Sequence, residues 1–454
     1  MSKTEKSVSG LGLWGLTAVV ISSMIGSGVY SLPQNMAAGA DVGAIVIAWI
    51  ITGVGMYFIA ETFRILSIIK SDMTAGIYVY AQDGFGPITG FFTAWGYWLC
   101  QVFADIGYAV ILMESLNYFF APHFAGGNNI NSFILSTVMI WAFCILTLKG
   151  IKTAALVNLI GTFFKLIPII IFILIALITF KLSVFLPGLF DNLTFKNFDI
   201  TALPNQIKST MFITLWCFIG VETAVALSDR ANKSGDISKA TFFGFIICLV
   251  IYILISLLPF GILDRQTIAD FANPSTAGIL ESIIGKPGAF IMIIGLIVSV
   301  LFAFLAWLIV AVELPFSASR AGAYFPAQFQ KQNNKGAPSF SLFVTTLAMQ
   351  GALIFAFFSE NAWNLMLSIT GVMVMPVYLL TSAYLYKISS KKRFPSGFGI
   401  SKNKACLTAV MAVIYSAWLI YAAGIKYLLM AIIFFAVGIP VCISAIRQKK
   451  KLQK

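Results

Sequence analysis

Residues 19–33 read VVISSMIGSGVYSLP, an apolar segment that is interrupted by Gly26-Ser27-Gly28. A second apolar segment, residues 214–224, reads TLWCFIGVETA and is interrupted near Gly220. A glycine-rich break at membrane depth frees backbone N–H and C=O groups that lipid cannot hydrogen-bond, so the break must be buried in protein or line a cavity. Two breaks at corresponding positions of two chain halves predict a transporter fold with a site at the middle of the membrane.

The composition of the whole chain is that of a membrane protein. Of its 454 residues 59% are hydrophobic and only 10% are charged, and the mean hydropathy is +0.92. Apolar runs of about 18 or more residues are typical of membrane-spanning helices. The pattern predicts twelve spans, at about residues 11–36, 43–63, 89–120, 132–149, 153–180, 209–227, 241–261, 289–313, 340–358, 364–386, 405–422 and 427–446.

The basic residues follow the alternation of loops that is expected of a membrane protein. The chain carries 30 Lys and Arg residues and a net charge of +13. When the N-terminus is placed in the cytoplasm, most of these residues fall in the cytoplasmic loops and tails. This bias predicts that both termini lie in the cytoplasm, in a multi-pass protein of the inner membrane. The Lys-rich segment 447–454 is interpreted as an anchor next to anionic lipid, and no nucleic-acid partner is predicted.

The two broken spans are the first and the sixth, so five spans form each repeat. Because five is an odd number, the two copies are inverted relative to each other. The sequence therefore predicts an all-α polytopic fold with an N-terminal tail, a ten-helix core, two further helices and a basic C-terminal tail. These parts cover residues 1–10, 11–386 (with repeats at about 11–180 and 209–386), 405–446 and 447–454.

Polar groups gather at the first break and along one face of the third span. The amide N–H groups freed at Gly26-Ser27-Gly28 lie at the positive end of a half-helix and suit a carboxylate, although close helix packing through small residues is the alternative. Asp105 shares a helix face with Gln101 and Tyr108. An unpaired acid in mid-membrane costs roughly 2.5–3.5 kcal/mol on insertion scales. Asp105 is therefore interpreted as part of a substrate passage, and a structural ion pair with Lys165 of the fifth span is the alternative.

Trp216 and Glu222 flank the second break, and Trp307 lies in the middle of the eighth span. Tryptophan is more common at membrane interfaces, so the two mid-span rings are interpreted as gates that can stack on a cation, with plain packing as the alternative. Two acids, two rings and a carboxylate-binding helix end predict a site for a basic amino acid. The sequence shows no Ser-His-Asp set, Walker-type loop or metal-ligand cluster, so neither an enzyme nor a cofactor or metal is predicted.

At these residues the chain resembles the amino acid–polyamine–organocation superfamily, and within it the basic amino acid/polyamine antiporters. The resemblance covers nearly the whole chain and is carried by MIGSGVYSLP at 24–33 and LWCFIGVE at 215–222. AWGYW at 94–98 and GIKYLL at 424–429 look most like the bacterial arginine–ornithine antiporters. The resemblance implies the LeuT-type fold, in which ten core helices form an inverted repeat, with two more helices after it.

The resemblance also implies roles for single residues. It implies that Ile25, Ser27 and Gly28 at the first break hold the carboxylate and amino group of the substrate. Trp216 would close over the substrate, and Glu222 would lie next to it as a gate or proton-sensing acid. Trp307 would shape the cationic end, and the other positions that would face the pocket are Thr370, Cys100, Gln101 and Tyr108. Relatives that exchange arginine commonly have Asn where this chain has Asp105, and the extra charge favours cationic substrates. Lys165 looks like the lysine that replaces the coupling sodium ion in some proton-coupled relatives, which implies sodium independence.

The leading prediction is an antiporter that exchanges arginine for ornithine. An exchanger of lysine, agmatine or another polyamine, or a proton-coupled amino acid permease, is the nearest alternative. A membrane amino acid sensor that does not transport is an alternative of a different class. Whether the protein forms a homodimer is left open by the sequence.

Overall fold

The computed structural model describes residues 12–70, 73, 78–149, 152–190, 202–222, 234–320, 325–391, 394–395 and 398–452. Within these ranges the regular elements are α-helices and short 3-10 turns. In chain order the helices are α1 (Leu13–Met24), α2 (Leu32–Gly39), α3 (Val42–Ile69), α4 (Tyr78–Phe85), α5 (Pro87–Phe120), α6 (Ile130–Leu148), α7 (Lys152–Thr179), α8 (Leu182–Phe190), α9 (Ala202–Phe218), α10 (Ser234–Leu257), α11 (Arg265–Asp270), α12 (Ser275–Ile284), α13 (Lys286–Arg320), α14 (Ser339–Phe357), α15 (Ala362–Ser389) and α16 (Lys402–Leu452).

The helices are long and apolar enough for a polytopic membrane protein. Eight of the described helices could cross a membrane, or up to ten if each of two bent pairs forms one span. The count of twelve stays a prediction. The predicted sixth span, 209–227, extends past residue 222 and out of the described residues, and α9 has 17 residues. The last two predicted spans, 405–422 and 427–446, lie on the single element α16, which is bent at Gly424 (φ 73°).

The helix packing has the symmetry that an inverted repeat requires. α1 packs against α10, and its counterpart in the second half, α9, packs against α3. In the same way α13 packs against α7, and α5 packs against α15. In span numbers, the first pair is the first and seventh spans and matches the sixth and second. The other pair is the eighth and fifth spans and matches the third and tenth. Each contact in one half therefore has its equivalent in the other, so the two halves are built alike. α16 lies outside the repeat, packs against α15 and α3, and continues as helix into the predicted tail 447–454.

Several short helices connect the spans, and the sequence analysis did not predict them. One of them, α4, lies against the end of α15. The Tyr384 hydroxyl donates to Asp83, and Lys387 Nζ donates to the carbonyl oxygen of Gly84 (2.5 Å). The hydrogen bond from Tyr384, assisted by the nearby charge of Lys70, holds the pKa of the Asp83 carboxyl below its usual range. Elements of 6 to 10 residues are too short to show a clear apolar period.

Candidate functional site

The first break is an extended step between two helices. α1 ends at Met24, Ile25 is extended (φ −79°, ψ 98°), and Gly26 follows with φ −109° and ψ −153°. A 3-10 turn, Ser27–Ser31, then leads into α2, and the two helical parts differ in direction by 54°. The predicted break in the first span is confirmed. Its freed N–H and C=O groups are buried within the protein, as membrane depth requires.

The second break lies directly against the first. α9 ends at Phe218, and Gly220 adopts a left-handed conformation (φ 108°) that favours glycine. The Ser23 hydroxyl, one turn before the first break, donates to the Gly220 carbonyl oxygen (3.0 Å). A Cβ on Gly220 would stand 2.8 Å from the Ser23 carbonyl oxygen. The two interrupted spans therefore meet at their interruptions.

Side chains bind the carbonyl groups that the first break frees. Lys165 Nζ on α7 donates to the carbonyl oxygens of Ser22 (2.6 Å) and Ile25 (3.2 Å). The Tyr252 hydroxyl on α10 donates to the carbonyl oxygen of Met24 (2.7 Å). A cation at the C-terminal end of α1 interacts favourably with the helix dipole. The break is thus held open in one geometry by a lysine and a tyrosine from two other spans.

Two aromatic rings cover the first break. Trp216 lies so close to it that a Cβ on Gly28 would stand 2.6 Å from the indole Nε1. The Tyr108 ring meets Trp216 edge-on, with ring centroids 6.2 Å apart and an interplanar angle of 87°. A Cβ on Gly26 would overlap the Tyr108 hydroxyl. Glycine at both positions lets the rings approach the freed amides, which is the arrangement expected of a cover over a small substrate.

Replacing Gly28 with alanine is expected to weaken substrate binding about tenfold, because the added Cβ displaces the Trp216 ring and overpacking typically costs about 1–3 kcal/mol. Binding of labelled arginine to the purified protein measures the effect. Gly351→Ala is the matched control, since a Cβ at that position meets nothing within 4 Å. Equal affinity of the two variants would show that the Trp216 ring can shift without any loss of substrate binding.

Glu222 is held by tyrosines and by its own turn. One carboxylate oxygen accepts from the Tyr97 hydroxyl on α5 (2.6 Å), and the other accepts from the Tyr378 hydroxyl on α15 (3.4 Å). The backbone N–H of Gly220 donates to both oxygens, at 3.3 and 3.2 Å. Glu222 is 1% exposed. It therefore ties the second break to α5 and α15.

Asp105 is the opposite case. It is 0% exposed, and neither of its carboxylate oxygens has a hydrogen-bond partner among the described residues. The ion pairs found in the described part of the chain do not include Asp105 or Lys165, so the alternative of an Asp105–Lys165 pair finds no support in the structure. The hydroxyls of Ser27 and Thr370 are likewise buried without a partner in the described residues. A buried acid and two hydroxyls without partners are groups that a polar ligand can satisfy.

The sequence of residues 11–448 matches the profile of a family described as amino acid permease. The chain belongs to the amino acid permease family. The resemblance to the amino acid–polyamine–organocation superfamily is thereby confirmed, and with it the membership in a family of transporters.

Close relatives of the permease share its full length. It is 49% identical to the arginine/agmatine antiporter of Chlamydia pneumoniae over 451 residues, which cover 99% of this chain and 93% of the relative. It is also 49% identical to the arginine/agmatine antiporter of Chlamydia felis over 450 residues, 99% of this chain and 92% of the relative. A Chlamydia caviae protein of the same name is 48% identical over 447 residues, with coverage of 98% and 92%.

The fold also matches a solved structure of a distant transporter. A Na+-coupled sialic acid symporter, in a substrate-bound outward-open state, aligns with a TM-score of 0.56 over 90% of the permease and 89% of that chain. The sequence identity is 11%, so the likeness shows the fold alone. Together with the two contacting breaks and the symmetric packing, it confirms the predicted LeuT-type fold.

The structure places the remaining predicted site residues within the core of the permease. Cys100 and Gln101 are 0% exposed on α5, one turn before Asp105. Trp307 is 7% exposed on α13, a helix that packs against α5 and the 3-10 turn after the first break. Trp307 makes no ring contact with Trp216 among the described residues, so the two rings do not form one stack.

The residues of this centre that the sequence analysis missed include Tyr378, the partner of Glu222 described above, and also Tyr252 and Trp363. Tyr252 binds the Met24 carbonyl, and Trp363 packs on Trp216 with ring centroids 5.7 Å apart. Tyr252 lies in an apolar span with no break nearby, and a tryptophan at the start of a span looks like an ordinary interface residue. Neither residue carries a signal that sequence alone could have distinguished.

A separate cavity of about 710 Å³ lies further along α5. Its lining includes Glu114 from α5, Phe271 and Asn273 from the loop before α12, and Glu281 from α12. Asp105, Trp216 and the two breaks do not line it. Glu114 follows Asp105 by nine residues, which is half a turn around α5, so the two acids face different sides of the helix.

Proposed function

We propose that this permease is an antiporter of the inner membrane that exchanges arginine for another basic compound. The observation that carries the proposal is the buried Asp105, which has no hydrogen-bond partner in the described residues and lies three residues before Tyr108 on α5. Tyr108 and Trp216 in turn cover the two contacting helix breaks. An unpaired acid at this depth needs a cation, a proton or water, and a guanidinium or ammonium group of a substrate meets that need.

Agmatine is the exchange partner that we favour. Relatives with 48–49% identity over nearly the whole chain are named arginine/agmatine antiporters, whereas the sequence analysis predicted ornithine. Agmatine carries two positive charges and no carboxylate, so it gains more from the additional negative charge of Asp105 than arginine does. Ornithine and lysine remain candidates for the same site, because each carries an α-carboxylate and a cationic group at the end of its side chain.

The substrate would lie between the first break and α5. Its carboxylate, when it has one, would meet the N–H groups at Ser27 and Gly28, and its cationic end would meet Asp105. Trp216 would close over it, with Thr370, Cys100 and Gln101 on the surrounding helices and Trp307 at the cationic end. Glu222, which accepts hydrogen bonds from tyrosines of α5 and α15, would act as the gate. Both termini would lie in the cytoplasm, in accordance with the distribution of Lys and Arg.

Liposomes loaded with one compound at a time test this function. We expect fast uptake of labelled arginine into vesicles that contain agmatine, and uptake at least about tenfold slower into empty vesicles. The reason is that a buried acid without a cation disfavours the reorientation of the empty carrier. Vesicles loaded with ornithine, lysine or a neutral amino acid rank the exchange partners. Equal uptake into empty and loaded vesicles would refute exchange and favour a permease that works by symport or a channel. Binding without any uptake would favour the sensor.

A further inference from the structure

The Trp216 ring has a socket on the side away from Gly28. A Cβ on Gly107 would stand 3.4 Å from Trp216 Cη2, 3.5 Å from Met366 Cβ and 3.7 Å from Trp363 Cζ3. The six-membered ring of the Trp216 indole therefore lies between the backbone of α5 at Gly107 and the first turns of α15. Its other edge, at Nε1 and Cδ1, points to the break at Gly28.

Trp363 is the largest side chain of this socket. Its ring meets Trp216 at an interplanar angle of 63° with centroids 5.7 Å apart, a tilted edge contact of the kind that aromatic pairs prefer. Trp363 is 3% exposed, and its indole N–H has no hydrogen-bond partner among the described residues. A buried indole usually finds such a partner, which offsets the cost of its burial. Within the described part of the chain, the position of the Trp363 ring is therefore set by packing, and Trp216 is the ring on which it packs.

We infer that Trp363 is a positioning residue that holds Trp216 closed over the substrate and thereby keeps transport coupled to exchange. The inference rests on the proposed function, in which Trp216 is the cover. Trp216 forms a T-shaped pair with Tyr108, meets the break with its Nε1 edge and meets the Trp363 socket with its opposite edge. Removing the socket leaves the Trp216 cover free to tilt away when no substrate is bound, and the empty carrier can then switch between its outward-facing and inward-facing states without exchange.

The mechanism does not require Trp363 to touch the substrate. α15 carries Trp363 at its start, Thr370 two turns later and Tyr378, which binds Glu222, two turns after that. A movement of α15 would therefore shift the socket of Trp216 and the partner of Glu222 together. This shared helix gives a physical route by which the cover and the acid can change state at the same time.

The test measures the ratio of arginine uptake into empty vesicles to uptake into agmatine-loaded vesicles, because this ratio does not depend on the amount of active protein. We expect Trp363→Ala to raise the ratio by about threefold to tenfold, the factor that one lost aromatic contact gives in an equilibrium. Trp363→Phe keeps a ring in the socket and should restore most of the coupling. If the alanine variant does not fold, Trp363→Leu fills the volume without a ring and carries the same expectation.

Trp98→Ala is the matched control. Trp98 is also 3% exposed, but it donates to Thr345 Oγ1 (3.1 Å) and packs on Trp95, away from Trp216. Its loss should lower both uptake rates and leave their ratio unchanged. An unchanged ratio in Trp363→Ala and Trp363→Leu, or the same rise in Trp98→Ala, would overturn the role of Trp363. Wild-type protein that fills empty vesicles as fast as loaded ones would overturn the exchange function itself, and the inference with it.

Discussion

Replacing Lys165 with methionine is expected to reduce exchange at least about hundredfold. The ammonium group donates to the Ser22 and Ile25 carbonyl oxygens at the end of α1, and hydrogen bonds to charged groups are worth about 1.5–3 kcal/mol each. Methionine keeps the length of the side chain but removes both of these hydrogen bonds. The first break then loses the geometry that presents its N–H groups to the substrate.

Transport should suffer more than binding in this variant. The carbonyls of Ser22 and Ile25 lie at the junction where α1 must change direction if the two halves rock around the site. Initial exchange rates in agmatine-loaded liposomes and arginine affinity of the purified protein separate the two effects. Tyr252→Phe serves as the comparison, because it removes one neutral hydrogen bond to the Met24 carbonyl from the same break. We expect that variant to lose about tenfold or less.

The same lysine predicts that exchange does not need sodium. Its ammonium group donates to the Ser22 and Ile25 carbonyl oxygens and so supplies a fixed positive charge at the first break. Replacing external sodium with choline should therefore leave the exchange rate of the wild-type protein unchanged. A rate that rises steeply with sodium concentration would contradict this role of Lys165, whatever the effect of the methionine variant.

The breaks themselves could be predicted from sequence because closely spaced glycines weaken an apolar helix, and lipid cannot satisfy the backbone groups that an interruption frees. Gly26-Ser27-Gly28 and Gly220 both lie where the helices end. The contact between the two breaks could not be predicted, since it depends on a hydroxyl of Ser23 that also bonds within its own helix. A serine of that kind looks the same in sequence whether or not it reaches a second span.

The partners of the charged residues were the least predictable part of the site. Lys165 and Asp105 are both intramembrane ions, and pairing them satisfies the simplest electrostatic rule. In the structure Lys165 instead binds backbone carbonyl oxygens. Every residue has a backbone carbonyl, so such a partner leaves no signature in the sequence. Glu222 likewise binds the phenols of Tyr97 and Tyr378, which lie 125 and 156 residues away in the chain. Such partners are fixed by helix packing, so they appear only in three dimensions.

Replacing Asp105 with asparagine is expected to weaken agmatine binding about tenfold to hundredfold, with a smaller loss for arginine. The change keeps the shape and deletes the charge of a buried carboxylate that has no partner in the described residues, and a hydrogen bond to a charged group is worth about 1.5–3 kcal/mol. Arginine retains the hold of its carboxylate at the first break, whereas agmatine has no carboxylate. Competition of each compound against labelled arginine, in both proteins, measures the shift.

A neutral amino acid should lose little affinity in the same variant, or gain some, because the cost of a buried charge without a cation is removed. An equal shift for every competitor would mean that Asp105 does not sense substrate charge. The double variant with Lys165→Met then becomes decisive. Since Lys165 binds the Ser22 and Ile25 carbonyls and forms no pair with Asp105, the two losses in binding free energy should add within about 0.5 kcal/mol. A double variant that is clearly less damaged than this sum would show that the two ions stabilise each other in a state of the transport cycle other than this one.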